Sequence, residues 1–295
     1  MRLLRPLALL TVTMSLAVSA CSGFRLSPVT AEPTSKWIPG KFIWHDLITH
    51  DVPAVKRFYG GLFGWTFEGE PGNASYTVIR HNGRMIGGIA YSDRKVDGKP
   101  VSQWVALMSV EDVDRGAAQF RTRGGRVYVE PRDFFDRGRL AVVADPQGAA
   151  LGLVRTTGGD PADRDPDPGD WLWNELWCED KEVEGRFYAA LTGYEVDVHR
   201  KVAGKPYTVF TRGGVPRAGM LVNPFDDVRS HWISYVRVED PAAVVAKVEG
   251  LGGQVLLKPD PEIRKGTVAI IEDPSGGDLA IQKWPIDDTR AGDDD

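Results

Sequence analysis

The chain has 295 residues, 42% of them hydrophobic, nine tryptophans and a formal net charge of −5. A chain of this size and composition can bury one or two large cores, which argues against a disordered protein. Its acidic balance also argues against nucleic acid as a partner.

The first twenty residues have the organisation of a secretory signal. Arg2 and Arg5 precede an apolar run over residues 7–20, and Cys21 follows it. The run is shorter than the roughly 20 residues that cross a bilayer, which disfavours a permanent transmembrane helix. Residues 18–21, Val-Ser-Ala-Cys, resemble a bacterial lipobox. We therefore expect cleavage before Cys21 and attachment of lipid, including palmitate, to this cysteine. The alternative is an ordinary signal peptide that is cleaved without lipidation.

Export would place the protein in the cell envelope, lipid-anchored to a membrane and facing the periplasm or the exterior. Several acyl chains on one lipoprotein give stable attachment. Loss of residues 1–20 removes Arg2 and Arg5 and brings the net charge to −7. With Cys21 lipidated, Cys178 would have no second cysteine for an intramolecular disulfide. Residues 21–36 are predicted to be the lipidated tether.

The remainder of the chain is an internal duplication. Residues 37–157 and 171–286 are predicted to be two domains, joined by a polar linker rich in Gly and Pro at 158–170 and followed by an acidic tail at 287–295. The repeat stays in register over matched residues: Trp44-His45-Asp46-Leu47 with Trp173-Asn174-Glu175-Leu176, Arg57-Phe58-Tyr59 with Arg186-Phe187-Tyr188, Tyr76 with Tyr207, Gly88 with Gly219, Trp104 with Trp232, and Asp145-Pro146 with Asp273-Pro274.

Hydrophobic periodicity predicts two βαβββ units in each half. In the first half these are strand Phe42–Ile48, helix Pro53–Leu62 ending at Gly64, strands Tyr76–Arg80 and Met85–Tyr91, strand Val105–Val110, helix Val113–Arg123, and strands Arg126–Glu130, Leu140–Ala144 and Ala150–Arg155. The second half repeats the order. Asp145–Gly148 and Asp273–Gly276 are predicted hairpin turns.

Two phrases occur in both halves and resemble a known signature: Asp51…Phe58-Tyr59…Leu62-Phe63-Gly64-Trp65, and Asp-Pro-x-Gly before a closing strand. They are similar to the glyoxalase/bleomycin-resistance (vicinal oxygen chelate) superfamily. The resemblance implies an α+β fold with tandem domains. In each domain, two βαβββ units would form an open eight-stranded cleft that holds the ligand.

The resemblance also implies where metal-dependent members carry their ligands, on the first and last strands of the units. The matching positions hold Trp44, Val105, Gly152, Trp173, Ile233 and Ala280. Divalent ions need converging nitrogen or oxygen donors, which these side chains lack. We therefore expect no metal and no other cofactor. The alternative is a metal held by off-register donors such as His231, which lies two residues before Ile233 on the same face of the strand.

Strand alternation places Asp46 and Glu175 on the same cleft walls as Trp44 and Trp173. A carboxyl near indole rings loses hydration, so its pKa is expected to rise toward values useful for acid/base catalysis. The alternative is a structural carboxylate bound to a loop amide or an arginine. Tyr76, Tyr207 and Tyr235 are candidate ligand-binding hydroxyls or ordinary core aromatics. His45 and Cys178 fall on the opposite faces of their strands, where burial is expected.

Two functions follow from these residues. The first is a metal-independent small-molecule-binding protein with an aromatic cleft in each half. The alternative is a glyoxalase-like lyase or isomerase of small carbonyl compounds, with Asp46 or Glu175 as general acid/base. A third option is that one half only supports the other. The expected partners are a small-molecule ligand and, through the N-terminal lipid, a membrane; a monomer and a homodimer both remain open.

Overall fold

The protein is described from a computed structural model that covers residues 25–96, 98–225 and 228–286. The predicted signal peptide, Cys21 and the acidic tail 287–295 lie outside these ranges. Within them, the helices are all too short or too polar to span a membrane.

Within the described residues, the first half contains ten strands and two α-helices; both α-helices and seven of the strands occur in the order expected from the sequence. The elements are β1 (Phe42–Thr49), α1 (Val52–Phe63), β2 (Thr66–Glu70), β3 (Asn73–His81), β4 (Arg84–Tyr91), the two-residue strands β5 (Lys95–Val96) and β6 (Lys99–Pro100), β7 (Gln103–Ser109), α2 (Val113–Thr122), β8 (Arg126–Asp133), β9 (Arg139–Ala144) and β10 (Ala150–Arg155).

The second half repeats this arrangement, except that its two-residue strands lie before the counterparts of β3 and β4 instead of after them. Its elements are β11 (Trp171–Cys178), α3 (Lys181–Thr192), β12 (Glu195–Asp197), the two-residue strands β13 (Lys201–Val202) and β14 (Lys205–Pro206), β15 (Thr208–Arg212), β16 (Val215–Val222), β17 (His231–Val238), α4 (Pro241–Val248), β18 (Gln254–Leu257), β19 (Val268–Glu272) and β20 (Asp278–Lys283).

Each half forms one eight-stranded mixed sheet, and the two sheets have the same strand order. The orders are β2-β3-β4-β1-β7-β10-β9-β8 and β12-β15-β16-β11-β17-β20-β19-β18. In each half the two units meet along a central antiparallel pair, β1 with β7 and β11 with β17. The expected tandem α+β fold is confirmed. Strand β2, which carries little hydrophobic alternation, was absent from the sequence prediction.

Local sequence signals set the ends of the helices. Asp51 caps α1 by accepting a hydrogen bond from the Ala54 backbone, and Gly64 ends it in the left-handed region at φ 69°. Asp180 and Gly193 perform the same tasks for α3, with Gly193 at φ 74°. An acceptor side chain before the first turn and a glycine after the last one satisfy backbone groups that the helix cannot pair internally.

The main hydrophobic cores are shared between the halves. One cluster joins Val55, Phe58 and Tyr59 of α1 with Val236 and Leu279 of the second sheet. A second cluster joins α2, β9 and β10 with α3 and the second sheet. The helices of one half therefore bury their apolar faces against the other half, and the opposite face of each sheet is left to form a cleft.

The segment before β1, part of the expected tether, packs onto the first half. We call residues 25–32 the strap. Leu26 and Val29 are buried at 5% and 3% exposure, within the cluster that fills the first cleft. Ser27 bonds Glu70 through its backbone nitrogen and its hydroxyl, at 3.1 and 2.8 Å. From Leu26 onward this segment is therefore part of the folded domain.

The expected linker is also held in place. Asp160 is fully buried and accepts hydrogen bonds from the Ile38 backbone at 2.7 Å and the Ser109 hydroxyl at 3.0 Å. Asp170 is buried at the start of the second domain, where His81 and Arg84 bond it at 2.8 and 2.9 Å. The connection between the halves thus has a defined path along the first half.

Candidate functional site

The first cleft holds a cluster built on the three residues predicted there. The Trp44 indole nitrogen and the Tyr76 hydroxyl both donate to Asp46 Oδ1, at 2.8 and 2.5 Å. The Arg137 guanidinium lies over the Trp44 ring, 4.1 Å from its centre, and its Nη2 is 3.4 Å from the Tyr76 hydroxyl. Arg137 is completely buried. Indole face, guanidinium, phenol and carboxyl therefore form one continuous polar network in an apolar surrounding.

The second cleft holds an equivalent cluster around Glu175. Glu175 Oε1 accepts hydrogen bonds from Trp177 Nε1 at 2.8 Å and from the Tyr235 hydroxyl at 2.7 Å. Oε2 accepts from the Tyr207 hydroxyl and from Arg264, with which it forms an ion pair. Each carboxylate oxygen thus has two donors. The Trp173 indole joins the cluster by donating to Tyr207 at 2.9 Å.

Two glycines that recur in the repeat make room for these clusters. A Cβ built on Gly88 would lie 1.9 Å from the Tyr76 hydroxyl and 2.6 Å from Asp46 Oδ1. A Cβ on Gly219 would lie 1.7 Å from the Tyr207 hydroxyl. Both glycines lie on the strand paired in parallel with the first strand of the half, directly opposite Asp46 and Glu175. The repeat therefore keeps glycine there because the phenol occupies the space of a side chain.

The two carboxyls differ in their titration. Burial raises the pKa of Asp46, although the Arg137 charge and the Tyr76 and Trp44 hydrogen bonds oppose the change. Burial acts in the same direction on Glu175, but the Arg264 charge and three hydrogen bonds outweigh it, so its pKa falls below the ordinary value. The expected direction of the pKa shift is found for Asp46, whereas the expectation for Glu175 is wrong, because among the described residues Glu175 makes direct contact with an arginine and Asp46 does not.

The seven predicted cleft residues thus lie in two clusters, and the two arginines that complete these clusters were not predicted from the sequence. Arg137 belongs to a short 3-10 turn at Phe135–Arg137, and Arg264 to an equivalent turn at Arg264–Gly266. At the offset of 128 that aligns the neighbouring segments, Arg137 faces Lys265 instead of Arg264. Because the two loops differ in register by one residue, the repeat does not align Arg137 with Arg264.

The side chains assigned to the opposite faces lie between the halves. The His45 Nε2 bonds Asn174 Oδ1 at 3.0 Å, and the ring stacks on Trp171 with centres 3.9 Å apart. Burial lowers the pKa of His45 to about 3, so this imidazole is neutral. Cys178 is fully buried, and burial raises the pKa of its thiol to about 12. Neither group is available as a nucleophile or a base in a cleft.

A groove of about 870 Å³ runs between the halves beside the first cleft. Its walls include Val29 of the strap together with Ile43 and Met85, which belong to the first cleft's cluster. On the other side it reaches Trp173 and Trp284. The strap is consequently a wall between this groove and the first cleft.

Two family models match the chain, one in each half. Residues 41–153 match the Glyoxalase/Bleomycin resistance protein/Dioxygenase superfamily, and residues 173–281 match a glyoxalase-like domain. A Mycobacterium tuberculosis protein named "Putative glyoxylase CFP32" is 32% identical over 253 residues, which cover 84% of this chain and 97% of that protein. The chain belongs to the glyoxalase/bleomycin resistance protein/dioxygenase superfamily.

Another relative comes from a Streptomyces strain. The "Anthracycline biosynthesis protein DauV" of Streptomyces sp. (strain C5) is 30% identical over 262 residues, covering 84% of this chain and 94% of that protein.

Solved structures of the superfamily share the fold. The Mn(II)-bound glyoxalase from Novosphingobium aromaticivorans superposes with a TM-score of 0.57 at 14% identity, covering 84% of this chain and 83% of its own. The homoprotocatechuate 2,3-dioxygenase from B. fuscum superposes with a TM-score of 0.55 at 17% identity, covering 88% of this chain and 74% of its own. At these identities the likeness establishes the architecture alone.

The side chains of this chain do not fit the superfamily's metal. The positions at which the resemblance places metal ligands hold glycine or apolar or indole side chains, and within the described ranges no three His, Cys, Asp or Glu residues converge as a metal site would require. His231, the off-register candidate, directs Nδ1 to the Arg229 carbonyl at 2.9 Å and packs its ring against Trp177. In both clefts a guanidinium supplies the positive charge beside the carboxyl.

Proposed function

We propose that this chain is a metal-independent small-molecule-binding member of the superfamily, with an aromatic cleft in each half. The observation that carries this proposal is the composition of the two clusters. Each surrounds a carboxyl with indole and phenol groups, and an arginine supplies its cation. Such a surface suits stacking and hydrogen bonding to a planar organic ligand, and it leaves no set of donors for a Lewis-acid ion.

The relatives are compatible with a ligand of this kind. Two Streptomyces relatives are named for anthracycline biosynthesis, and Trp44 and Trp173 give this chain large flat side chains in its clefts. A planar, partly aromatic molecule is therefore the ligand class that we favour.

Tryptophan substitutions test ligand binding. Trp44→Ala and Trp173→Ala each remove one indole wall, and we expect each to lower the affinity for naphthalene-type probes measured by calorimetry. Trp37→Ala is the matched control, since Trp37 bonds the Thr156 carbonyl and stacks under Arg155, away from the carboxyl clusters. Affinities that respond equally to all three substitutions would contradict a cleft site.

Metal analysis of the pure protein tests the other part of the proposal. Zinc, nickel, manganese and iron should each be present far below one ion per chain after purification without chelator. Stoichiometric retention of any of them would contradict metal independence.

A second candidate, a glyoxalase-like lyase or isomerase of small carbonyl compounds, is favoured by one observation. Burial raises the pKa of Asp46, and both of its hydrogen bonds end on Oδ1. Glu175 is less suited to proton transfer, because two donors occupy each of its oxygens. Asp46→Asn should spare ligand binding and abolish turnover of methylglyoxal if this candidate is correct. Equal turnover by Asp46→Asn and the unchanged protein would exclude Asp46 as the catalytic acid/base.

We also propose that lipid at Cys21 holds the protein on a membrane of the cell envelope. The strap begins only a few residues after Cys21, so such an anchor would keep the first half close to the lipid surface. Cys21→Ser should move the protein from the membrane fraction to the soluble fraction and remove labelled palmitate. A Cys178→Ser control should change neither result.

A further inference from the structure

The carboxyl side chains of the two clusters differ in length by one methylene group, and the arginines beside them differ in their partners. In the second cleft the longer Glu175 makes an ion pair with Arg264. In the first cleft Asp46 is shorter by one C–C bond, about 1.5 Å, and among the described residues it forms no ion pair with Arg137. Arg137 bonds the Tyr76 hydroxyl and the Ser27 carbonyl instead.

This leaves a buried cation with a free donor. Arg137 has no exposed surface, and its Nη1 has no hydrogen-bond partner within the described part of the chain. A buried guanidinium N–H without an acceptor is costly, and a carboxylate is the acceptor that such a group binds most strongly. The first cleft thus has a free donor for an anion, and the described residues do not provide that anion.

The strap occupies the space around this donor. Leu26 and Val29 fill the cleft with apolar side chains, and Ser27 places a backbone carbonyl on Arg137 Nε at 2.5 Å. An apolar body that ends in an oxygen acceptor is therefore already complementary to this cleft. The 870 Å³ groove lies on the other side of Val29, so an outward movement of the strap would connect the cleft with it.

We propose that the first cleft binds an apolar carboxylic acid as its carboxylate, with Arg137 as the counter-ion and with the apolar body of the ligand in the place of the strap. The proposal rests on the proposed binding function and names its ligand class. The second cleft lacks this capacity because Glu175 already neutralises Arg264. Both hydrogen bonds to Asp46 end on Oδ1, and within the described residues Asp46 forms no ion pair with Arg137, so the guanidinium stays open to the carboxylate of a ligand.

The test compares 2-naphthoate with its neutral isostere 2-naphthamide by calorimetry. The purified protein should bind 2-naphthoate at least about tenfold more tightly, the factor expected for one charge-assisted hydrogen bond. Arg137→Met should remove this preference. Asp46→Glu should also weaken 2-naphthoate binding about tenfold, because the added methylene lets the protein's own carboxylate reach Arg137. Asp114→Glu, an exposed residue paired with Arg139, is the matched control and should bind as the unchanged protein does.

The thermal midpoint of each variant shows whether it is folded, and Asp46→Glu carries the test if Arg137→Met is unstable. Equal affinity for the two probes, or tight 2-naphthoate binding by Asp46→Glu, overturns the carboxylate site and leaves the binding function standing. If neither probe binds, both proposals fail.

Discussion

The Tyr59 hydroxyl of the first half donates a hydrogen bond of 2.9 Å to Asp273 of the second half. The Tyr188 hydroxyl of the second half likewise donates one of 2.9 Å to Asp145 of the first half. The helix tyrosine and the turn aspartate of the family signature therefore hold the two halves together. Tyr188→Phe leaves a buried carboxyl without this donor and should lower the free energy of unfolding by about 1 to 3 kcal/mol in urea titrations. The exposed Tyr91→Phe is the control; equal effects would contradict the assignment.

A second prediction concerns pH. Glu184 is buried beside Asp145, and burial together with the Asp145 charge raises the pKa of Glu184 well above its ordinary value of 4.5. The folded protein therefore holds a proton that the unfolded chain loses above about pH 4.5, so stability falls as the pH rises above that value. Glu184→Gln copies the protonated form and should flatten this dependence in thermal unfolding at pH 5 and pH 8.

The first half has Val55 at the position of Glu184, which provides the comparison. Glu184→Val should also remove the slope, whereas the exposed Glu182→Gln should keep it. A slope that survives Glu184→Gln would assign the pH dependence to another group.

The Glu175–Arg264 pair makes a third prediction. Glu175→Gln leaves the Arg264 charge buried without its partner, so it should cost about 3 kcal/mol or more of unfolding free energy. Asp46→Asn should cost less unfolding free energy, because Asp46 forms no ion pair in the part of the chain that the structure describes. Chemical denaturation of both variants checks the order, and a larger loss for Asp46→Asn would contradict it.

A fourth prediction follows from the close approach at Gly88. In Gly88→Ala the new Cβ would displace the Tyr76 hydroxyl from Asp46, so we expect lower stability, by about 1 to 3 kcal/mol, and weaker ligand binding in the first cleft. Gly69→Ala, where an added Cβ meets nothing within 4 Å, is the control. Unchanged affinity and stability in Gly88→Ala would show that the cluster can relax around a methyl group.

A fifth prediction concerns the strap. The double change Leu26→Ala and Val29→Ala removes the apolar side chains that a ligand must displace, so 2-naphthoate should bind more tightly than to the unchanged protein. Calorimetry checks this, with Ile263→Ala, a partly exposed apolar residue outside the first half, as the control. A weaker affinity in the double variant would indicate that the strap forms part of the binding surface instead of covering it.

Most of the fold could be predicted because it is encoded locally. Asp51 and Gly64 mark the ends of α1, alternation marks the strands, and Asp-Pro turns close the final hairpins. The pairing of Trp44 with Asp46 followed from strand geometry alone. These features depend on neighbours a few residues apart, which a single sequence displays directly.

The unpredicted features depend on contacts between distant residues. Arg137 reaches the first cleft from a loop with a left-handed residue, Phe135, and neither hydrophobic periodicity nor the repeat offset reports where such a loop points. The sequence predicts a tether at the strap. Its two buried apolar residues, Leu26 and Val29, are too few to show the spacing of a strand or a helix. The pKa of Glu175 was wrongly expected to rise for the same reason, since its partner Arg264 lies 89 residues away in the sequence.

The sharing of the cores between the halves has a consequence for the origin and engineering of the chain. A half produced alone would expose the helix faces that now pack on its partner, so a single half has no complete interior of its own. Two copies of one half, however, could bury those same faces in each other by a twofold arrangement. The covalent chain thus has the architecture of a fused dimer, and because one chain supplies both clefts, the first can hold Asp46 where the second holds Glu175.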